Sequence, residues 1–364
     1  MAQSKIKGLV LSGGSGTRLR PITYTSAKQL VPIANKPILF YGLESIAKSG
    51  VKEVGVIVGD TREEVKEALG DGSLFGLEIT YIEQEKPLGL AHCVLIAREF
   101  LAEDDFVMYL GDNFILKGVE EFIESFRQRE AGVTAQILLA KVPDPHRFGV
   151  AELDSSGKVI RLIEKPRIPP SDLALVGVYL FDKTIHEAVR SIKPSARGEL
   201  EITDAIDWLI SSNYRVNSQV VDGYWKDLGE PEALLDGNRL ALEMIEPSIL
   251  GEVDEYSKVD GRVEVGLGAK IVRSIVRGPA IIGPDAVIED SFIGPYTAIG
   301  RGCVIERSEV EYSIILNESA ISDIVRMEGS IVGKRARVSE RATLPSATRL
   351  VIGDNSRVEI NNKS

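Results

Sequence analysis

The stretch best suited to chemistry is Leu11-Ser12-Gly13-Gly14-Ser15-Gly16-Thr17-Arg18-Leu19-Arg20-Pro21. A glycine turn of this kind lets backbone N–H groups approach phosphate oxygens without side-chain clash. Arg18 follows at once, and its planar guanidinium suits a polyphosphate. The loop is no Walker A motif, since no Gly-Lys-Ser/Thr follows, and it lacks the third glycine of the dinucleotide fingerprint. A second cation, Lys28, lies in Ser26-Ala27-Lys28-Gln29-Leu30-Val31-Pro32. Taken alone, such a loop only turns the chain about as often as it binds anything. The acids come next. Asp112, in Tyr109-Leu110-Gly111-Asp112-Asn113, stands just past an apolar run. A carboxylate there projects from the carboxyl edge of a sheet, where open α/β sheets bind ligands, and it suits Mg²⁺. A lone Gly-Asp-Asn is more commonly a turn or a helix cap. Asp227, in Gly223-Tyr224-Trp225-Lys226-Asp227-Leu228-Gly229, changes that balance only if folding sets it beside Asp112.

The elements that must position these groups are legible. Lys7–Leu11, Val54–Val58, Ile79–Ile82 and Phe106–Leu110 read as short buried strands. Pro37–Ser49, closed by Gly50, and Leu90–Leu101 read as helices, and Thr61-Arg62-Glu63-Glu64 fits a capping box opening a helix to Leu69. Strands separated by helices imply crossovers and a mostly parallel sheet. Past residue 250 the helical pattern stops. Val265, Ile271, Val276, Ile282, Ile288, Ile293, Ile299 and Ile305 recur about every six residues, and Gly266, Gly283 and Gly300 are 17 apart. Three steps of about six describe a triangular coil with one short strand per side, aliphatic side chains inward and glycine or Gly-Pro at the corners. Gly333–Val338 and Gly353–Val358 continue the repeat less regularly. A β-sandwich is the competing reading, but its strands are longer and keep no six-residue step. The expected division is a nucleotide-handling domain over 1–240, a linker over 241–262, a β-helix over 263–358 and a tail over 359–364.

Composition narrows the class. The 364 residues carry a net charge of −11, with 27% charged and 44% hydrophobic residues, the mix of a soluble globular protein. That acidity argues against nucleic-acid and anionic-membrane binding, which need basic patches, but not against a nucleotide. Two cysteines, Cys93 and Cys303, argue against a disulfide scaffold or structural zinc and for a reducing compartment. With no leader-like segment and no run near the ~18 apolar residues of a membrane span, the expectation is a cytoplasmic protein.

Together these motifs resemble the sugar-1-phosphate nucleotidylyltransferases. The resemblance rests on G-G-x-G-T-R-L-x-P followed by Lys-Gln-Leu-x-P, and covers residues 5 to about 240. Lys28-Gln29 and Arg197-Gly198-Glu199-Leu200-Glu201-Ile202-Thr203-Asp204 look like the thymidylyl branch. The C-terminal repeat resembles the left-handed parallel β-helix of longer members. The resemblance implies an α/β fold, Rossmann-like, followed by that β-helix. The reaction it implies joins dTTP and α-D-glucose 1-phosphate with Mg²⁺, giving dTDP-glucose and pyrophosphate. It assigns Leu11, Gly13, Gly14, Ser15, Gly16, Thr17, Arg18, Gln29, Gln84, Pro87 and Gly89 to the nucleotide, with Gln84 reading the base edge. Lys28 neutralises the α-phosphate and leaving pyrophosphate, and Asp112 and Asp227 hold the metal. Gly149, Glu164, Lys165, Val176, Gly177, Arg197, Glu199 and Trp225 fall on the sugar-phosphate side. Lys165 and Arg197 grip the sugar's phosphate, and Glu164 accepts from glucose hydroxyls.

Two departures stand out. Phe148 replaces a common tyrosine, and Asp227-Leu228-Gly229-Glu230 replaces the more usual Asp-Thr-Gly-Thr. Three rivals remain open. A uridylyltransferase would use Gln84 equally well. An acetyltransferase activity in the repeat would want a histidine, yet His92, His146 and His186 all precede it. A non-catalytic regulatory subunit of the same fold would show decay of Arg18, Lys28, Asp112 or Asp227, and all are present. The repeat is expected to assemble subunits into a homo-oligomer rather than to catalyse.

Overall fold

Strand Ile6–Leu11 is buried along its whole length, as an apolar run flanked on both sides must be. The computed structural model of the chain describes residues 5–14, 16–221, 223–340 and 358. Ser15, the Gly353–Ser356-Arg357 portion of the last repeat and the 359–364 tail lie outside the described residues. The chain forms two compact units, one of residues 1–15 and 38–227, the other of 16–37 and 228–364. This differs from the expected division. The segment 16–37 and helix Pro231–Leu242 group with the β-helix, to which Asn35 Nδ2 donates at Ile299 O and Asn238 Nδ2 at Tyr296 O. The expected linker holds strands Ser248–Ile249, Glu252–Val253 and Lys258–Asp260, which form the first coil.

In the first unit, Glu78–Glu83, Glu53–Val58, Ile6–Leu11 and Asp105–Leu110 lie side by side in that order, all parallel. Helix Ile38–Lys48 lays Ile38, Leu39, Leu43 and Ile46, all fully buried, toward the core, and Gly50 ends it at φ 84°. Helix Arg62–Leu69 starts where expected, but Thr61 supplies no side-chain cap. Leu90–Leu101 is broken at Ala97 into Leu90–Ile96 and Arg98–Leu101. Beyond Asp105–Leu110 the pairings are antiparallel except for Arg215–Val220, which runs parallel to Val133–Lys141. Leu173–Phe181 runs antiparallel to Asp105–Leu110 and to Val133–Lys141, and Gly149–Leu153 pairs antiparallel with Val159–Glu164. Tight turns such as Asp154–Lys158 join neighbours directly, so no crossover helix is needed there. The nine-stranded sheet is therefore mixed.

The second unit contains a parallel β-helix of three short-stranded sheets. Partners such as Val263↔Ala280, Ile271↔Ile288 and Val276↔Ile293 are 17 residues apart, so one coil takes 17 residues. All eight aliphatic positions of the six-residue step are fully buried, each contributing roughly 1.5–3 kcal/mol by removal from water. The corner glycines act by close approach rather than by unusual φ. A Cβ on Gly283 would lie 2.6 Å from Gly300 C, and one on Gly266 2.6 Å from Pro284 N. The left-handed corners are instead Gly268, Asp285 and Gly302, and Arg273, Asp290 and Arg307. A serine column stitches the coils: Ser274 Oγ accepts from Ser291 N at 3.0 Å, and Ser291 Oγ from Ser308 N at 3.1 Å.

Candidate active site

The backbone beside the two acids is brought together by a two-stranded antiparallel ladder. Asn113–Ile115 pairs antiparallel with Trp225–Asp227, and Asp227 is the register partner of Asn113. Asp112 is thus one residue from the position facing Asp227, at the carboxyl end of Asp105–Leu110. Asn113, 3% exposed, fixes this corner. Its Nδ2 donates to Asp112 Oδ1 at 3.0 Å. Its Oδ1 accepts from Trp225 Nε1 at 2.6 Å and Gly177 N at 3.2 Å. Gly177 must be glycine, since a Cβ would fall 2.7 Å from Asn113 Nδ2. Asp112 and Asp227 could hold Mg²⁺ here, because a hard ion takes carboxylate oxygen donors.

Leu11 ends its strand in the core, and Gly13 and the exposed Gly14, at φ 120°, begin the loop. The position of a Cβ on Gly13 is 3.5 Å from Gln84 Oε1. Gln84 follows strand Glu78–Glu83, and its Nε2 is turned inward, 3.1 Å from His92 Nδ1, 3.3 Å from Cys93 Sγ and 3.5 Å from Gly89 O. The Cys93 thiol also donates to Gly89 O at 3.7 Å. Burial pushes that thiol up to about 12 and lowers His92 below its usual value. Near neutrality Cys93 keeps its proton, and His92 Nδ1 faces the amide nitrogen. Those groups hold the donor end of the amide and leave the acceptor end toward the loop. Gly89, at φ 103°, touches the backbone of Leu200, and a Cβ there would sit 2.4 Å from Leu200 O. Pro87 is exposed beside it.

Glu164, at the end of Val159–Glu164, accepts from Thr203 Oγ1 at 2.7 Å and faces Arg197 Nη2 at 3.2 Å and Lys165 Nζ at 3.6 Å. Arg197 also meets Glu201 at 2.8 Å and Glu199 at 3.3 Å. It is therefore held among carboxylates that an incoming phosphate must share. A cleft of about 480 Å³, lined by Glu164, Lys165, Ser195, Arg197, Glu201 and Asp204 among others, opens here. That is the size of a small-molecule site. Burial, with Glu201, Glu164 and Asp207 nearby, raises the Asp204 carboxyl. Gly149 backs Thr203, Val176 is in the core, and Phe148 lies edge-on to Trp225 at 5.5 Å.

In the second unit Gly16 has φ 57° and opens the turn Thr17–Leu19. The Arg18 side chain is 51% exposed and meets Glu230 at 3.3 Å. Lys28 and Gln29 are buried in the turn Lys28–Leu30, with Lys28 Cβ packed under Gly16. Sequence reading passed over Asn113, Thr203, Glu201, His92 and Glu230. Asn113 stood beside Asp112, Glu201 and Thr203 lay within the quoted Arg197–Asp204 run, and Glu230 lay in the run after Asp227, but nothing in one dimension paired Thr203 with Glu164, Glu230 with Arg18 or His92 with Gln84.

Among known proteins, the nucleotidyl transferase family profile matches residues 7–244, and a GMPPB C-terminal domain profile matches 276–363. A glucose-1-phosphate thymidylyltransferase of Streptomyces antibioticus is 58% identical over 98% of this chain and 99% of its own. A low-salt glycan biosynthesis nucleotidyltransferase of Haloferax volcanii is 46% identical over 98% and 100%. A crystal structure from Bacillus anthracis, described as a candidate glucose-1-phosphate thymidylyltransferase in complex with a sucrose, superposes with a TM-score of 0.61 at 34% identity. It covers 65% of this chain and 95% of its own. On these matches the chain belongs to the nucleotidyl transferase family, in its glucose-1-phosphate thymidylyltransferase branch.

Proposed function

We propose that the protein transfers a thymidylyl group from dTTP to α-D-glucose 1-phosphate, releasing pyrophosphate. The observation that supports this reading is the Asn113–Asp227 pairing, which puts the backbone of Asp227 opposite the residue that follows Asp112. A phosphate oxygen of the sugar attacks the α-phosphorus; the bond to the pyrophosphate oxygen breaks. The attacking group is already an anion, so the reaction calls for alignment and charge neutralisation rather than a general base. Asp112 and Asp227 would hold Mg²⁺, which when bound supplies positive charge to the phosphate oxygens. The loop Leu11, Gly13, Gly14, Ser15, Gly16 and Thr17, with Arg18, embraces the triphosphate. Lys28 and its neighbour Gln29 serve the α-phosphate end. Gln84 Oε1 accepts from the base N3–H, which thymine and uracil have and cytosine lacks. Pro87 and Gly89 bound the base side. Glu164 accepts from sugar hydroxyls, Lys165 and Arg197 hold the sugar's phosphate, and Gly149, Val176, Gly177, Glu199 and Trp225 shape that side.

Pyrophosphate release measured with dTTP, UTP, CTP and GTP against glucose, galactose and mannose 1-phosphates tests the reading. Fastest turnover with dTTP and glucose 1-phosphate supports it; a preference for UTP selects the uridylyl alternative, and no release with any pair leaves the regulatory-subunit alternative. We place the protein in the cytoplasm as a homo-oligomer. No helix among the described residues is long and apolar enough to cross a membrane, and sedimentation of the purified chain tests the assembly.

A further inference from the structure

Residues 16–37, which carry Arg18 and Lys28, pack with 228–364 rather than with the sheet. Their own regular structure is slight: the turns Thr17–Leu19, Ile22–Tyr24 and Lys28–Leu30, and the two-residue strands Pro32–Ile33 and Lys36–Pro37. Ordering such a segment costs about 1–2 kcal/mol per residue, and no long ladder within it repays that cost. Tertiary contacts must hold it.

Two sets of bonds from the second unit do so. The left-handed pair Ala34–Asn35, φ 45° and 58°, presents its groups to one coil. Asn35 Nδ2 donates to Ile299 O at 2.7 Å. Ala34 N donates to Asn238 Oδ1 at 2.8 Å, and Asn238 Nδ2 donates to Tyr296 O at 3.0 Å. Asn238 is fully buried, and its bond from Ala34 N is shielded from water. The second grip lies further along the β-helix. Lys334, at a corner beside the left-handed Arg335, donates to Ser26 Oγ at 3.1 Å. Ser26 is 8% exposed and two residues from Lys28. The turn Lys28–Leu30 is therefore tied on both sides, at Ser26 and at Ala34–Asn35, to coils separated along the rod.

We propose that the β-helix is a brace for catalysis, with Lys334 and Asn35 as positioning residues that hold the turn bearing Arg18 and Lys28. This rests on the thymidylyl-transfer reading. Displacing a phosphate-neutralising cation by about 1 Å is enough to lower turnover up to a hundredfold. The brace gives the C-terminal unit a direct effect on rate besides any part in assembly.

The test uses the full-length chain as Lys334→Met, Asn35→Ala and Lys334→Arg. Two readouts are compared: kcat and KM for dTTP and glucose 1-phosphate, and hydrogen exchange of residues 16–37 against 263–332. The brace predicts about a tenfold fall in kcat/KM for dTTP in the first two variants. The KM for glucose 1-phosphate stays unchanged, exchange quickens within 16–37 only, and Lys334→Arg recovers most of the loss. Wild-type kinetics and exchange in both Lys334→Met and Asn35→Ala overturn it. So does exchange that rises equally throughout 263–332, which marks a merely structural contact. If the wild type makes no dTDP-glucose, the functional reading falls while exchange still judges the brace: quickened exchange confined to 16–37 supports it, and unchanged exchange refutes it.

Discussion

Asn113→Ala removes one small side chain and undoes three bonds at the acid pair. Gly177 N–H and Trp225 Nε1–H lose their acceptor, and Asp112 loses the donor that orients it. Gly177 is buried, and a buried donor left without a partner costs about 1–3 kcal/mol. Trp225 is half-buried and water reaches it, so its loss is nearer ~1 kcal/mol. The expected destabilisation is about 2–4 kcal/mol. Activity should fall further than stability, because Asp112 can rotate away from Asp227, and about a hundredfold loss of kcat with a raised Mg²⁺ requirement is expected. Asn113→Asp separates the two effects. It keeps acceptors for Gly177 and Trp225 but sets a carboxylate against Asp112, so the fold holds while turnover drops. Urea unfolding followed by tryptophan fluorescence, which includes Trp225 itself, gives the stability. Pyrophosphate release over a Mg²⁺ titration gives the rate. If Asn113→Ala unfolds like wild type and titrates with Mg²⁺ unchanged, Asn113 does not organise the acids.

Asp112→Asn should keep the fold and lower kcat about 10²–10³-fold; near wild-type turnover at limiting Mg²⁺ would remove Asp112 from the site. His92→Leu takes away a ring nitrogen that hydrogen-bonds the Gln84 amide. The dTTP-over-dCTP preference should narrow about tenfold and His92→Gln should restore it, as competition assays can check. Gly89→Ala forces a Cβ onto Leu200 O at a left-handed φ and should raise the KM for dTTP well above any change in that for the sugar phosphate. His186 is buried, and burial first, then the charges of Arg98 and Arg190, lowers it to about 4. The unfolded chain then binds the extra proton between pH ~6.5 and ~4, so stability rises with pH in that window and is lost as pH falls through it. The group contributes up to about 1.4 kcal/mol per pH unit. His186→Leu should flatten that part of a urea-midpoint-against-pH curve.

Periodic features were the readable ones. Each of the four side-by-side parallel strands was found within a residue or so of its bounds, since an apolar run between turn residues has few alternatives. The β-helix followed from its six-residue step, although the glycines at its corners serve close approach and not left-handed φ. The serine column was equally regular at Ser274, Ser291 and Ser308, but a hydroxyl that bonds a neighbouring coil looks like any surface serine in one dimension. The antiparallel half of the sheet was missed because a hairpin and a crossover can join strands of the same local pattern.

The sequence by itself determined which groups are chemically able to neutralise phosphate or hold a metal, because the charges of Arg18, Lys28 and the two acids belong to the side chains themselves. Only the tertiary structure decided how they are supported. Asn113 joins Asp112 to the Asp227 strand across 114 residues of chain, Thr203 meets Glu164, and Lys334 reaches Ser26 across 308 residues. Hydrogen bonds of that span are set by where packed elements place their ends. Local sequence fixes the period of each element but carries no measure of the distance between them.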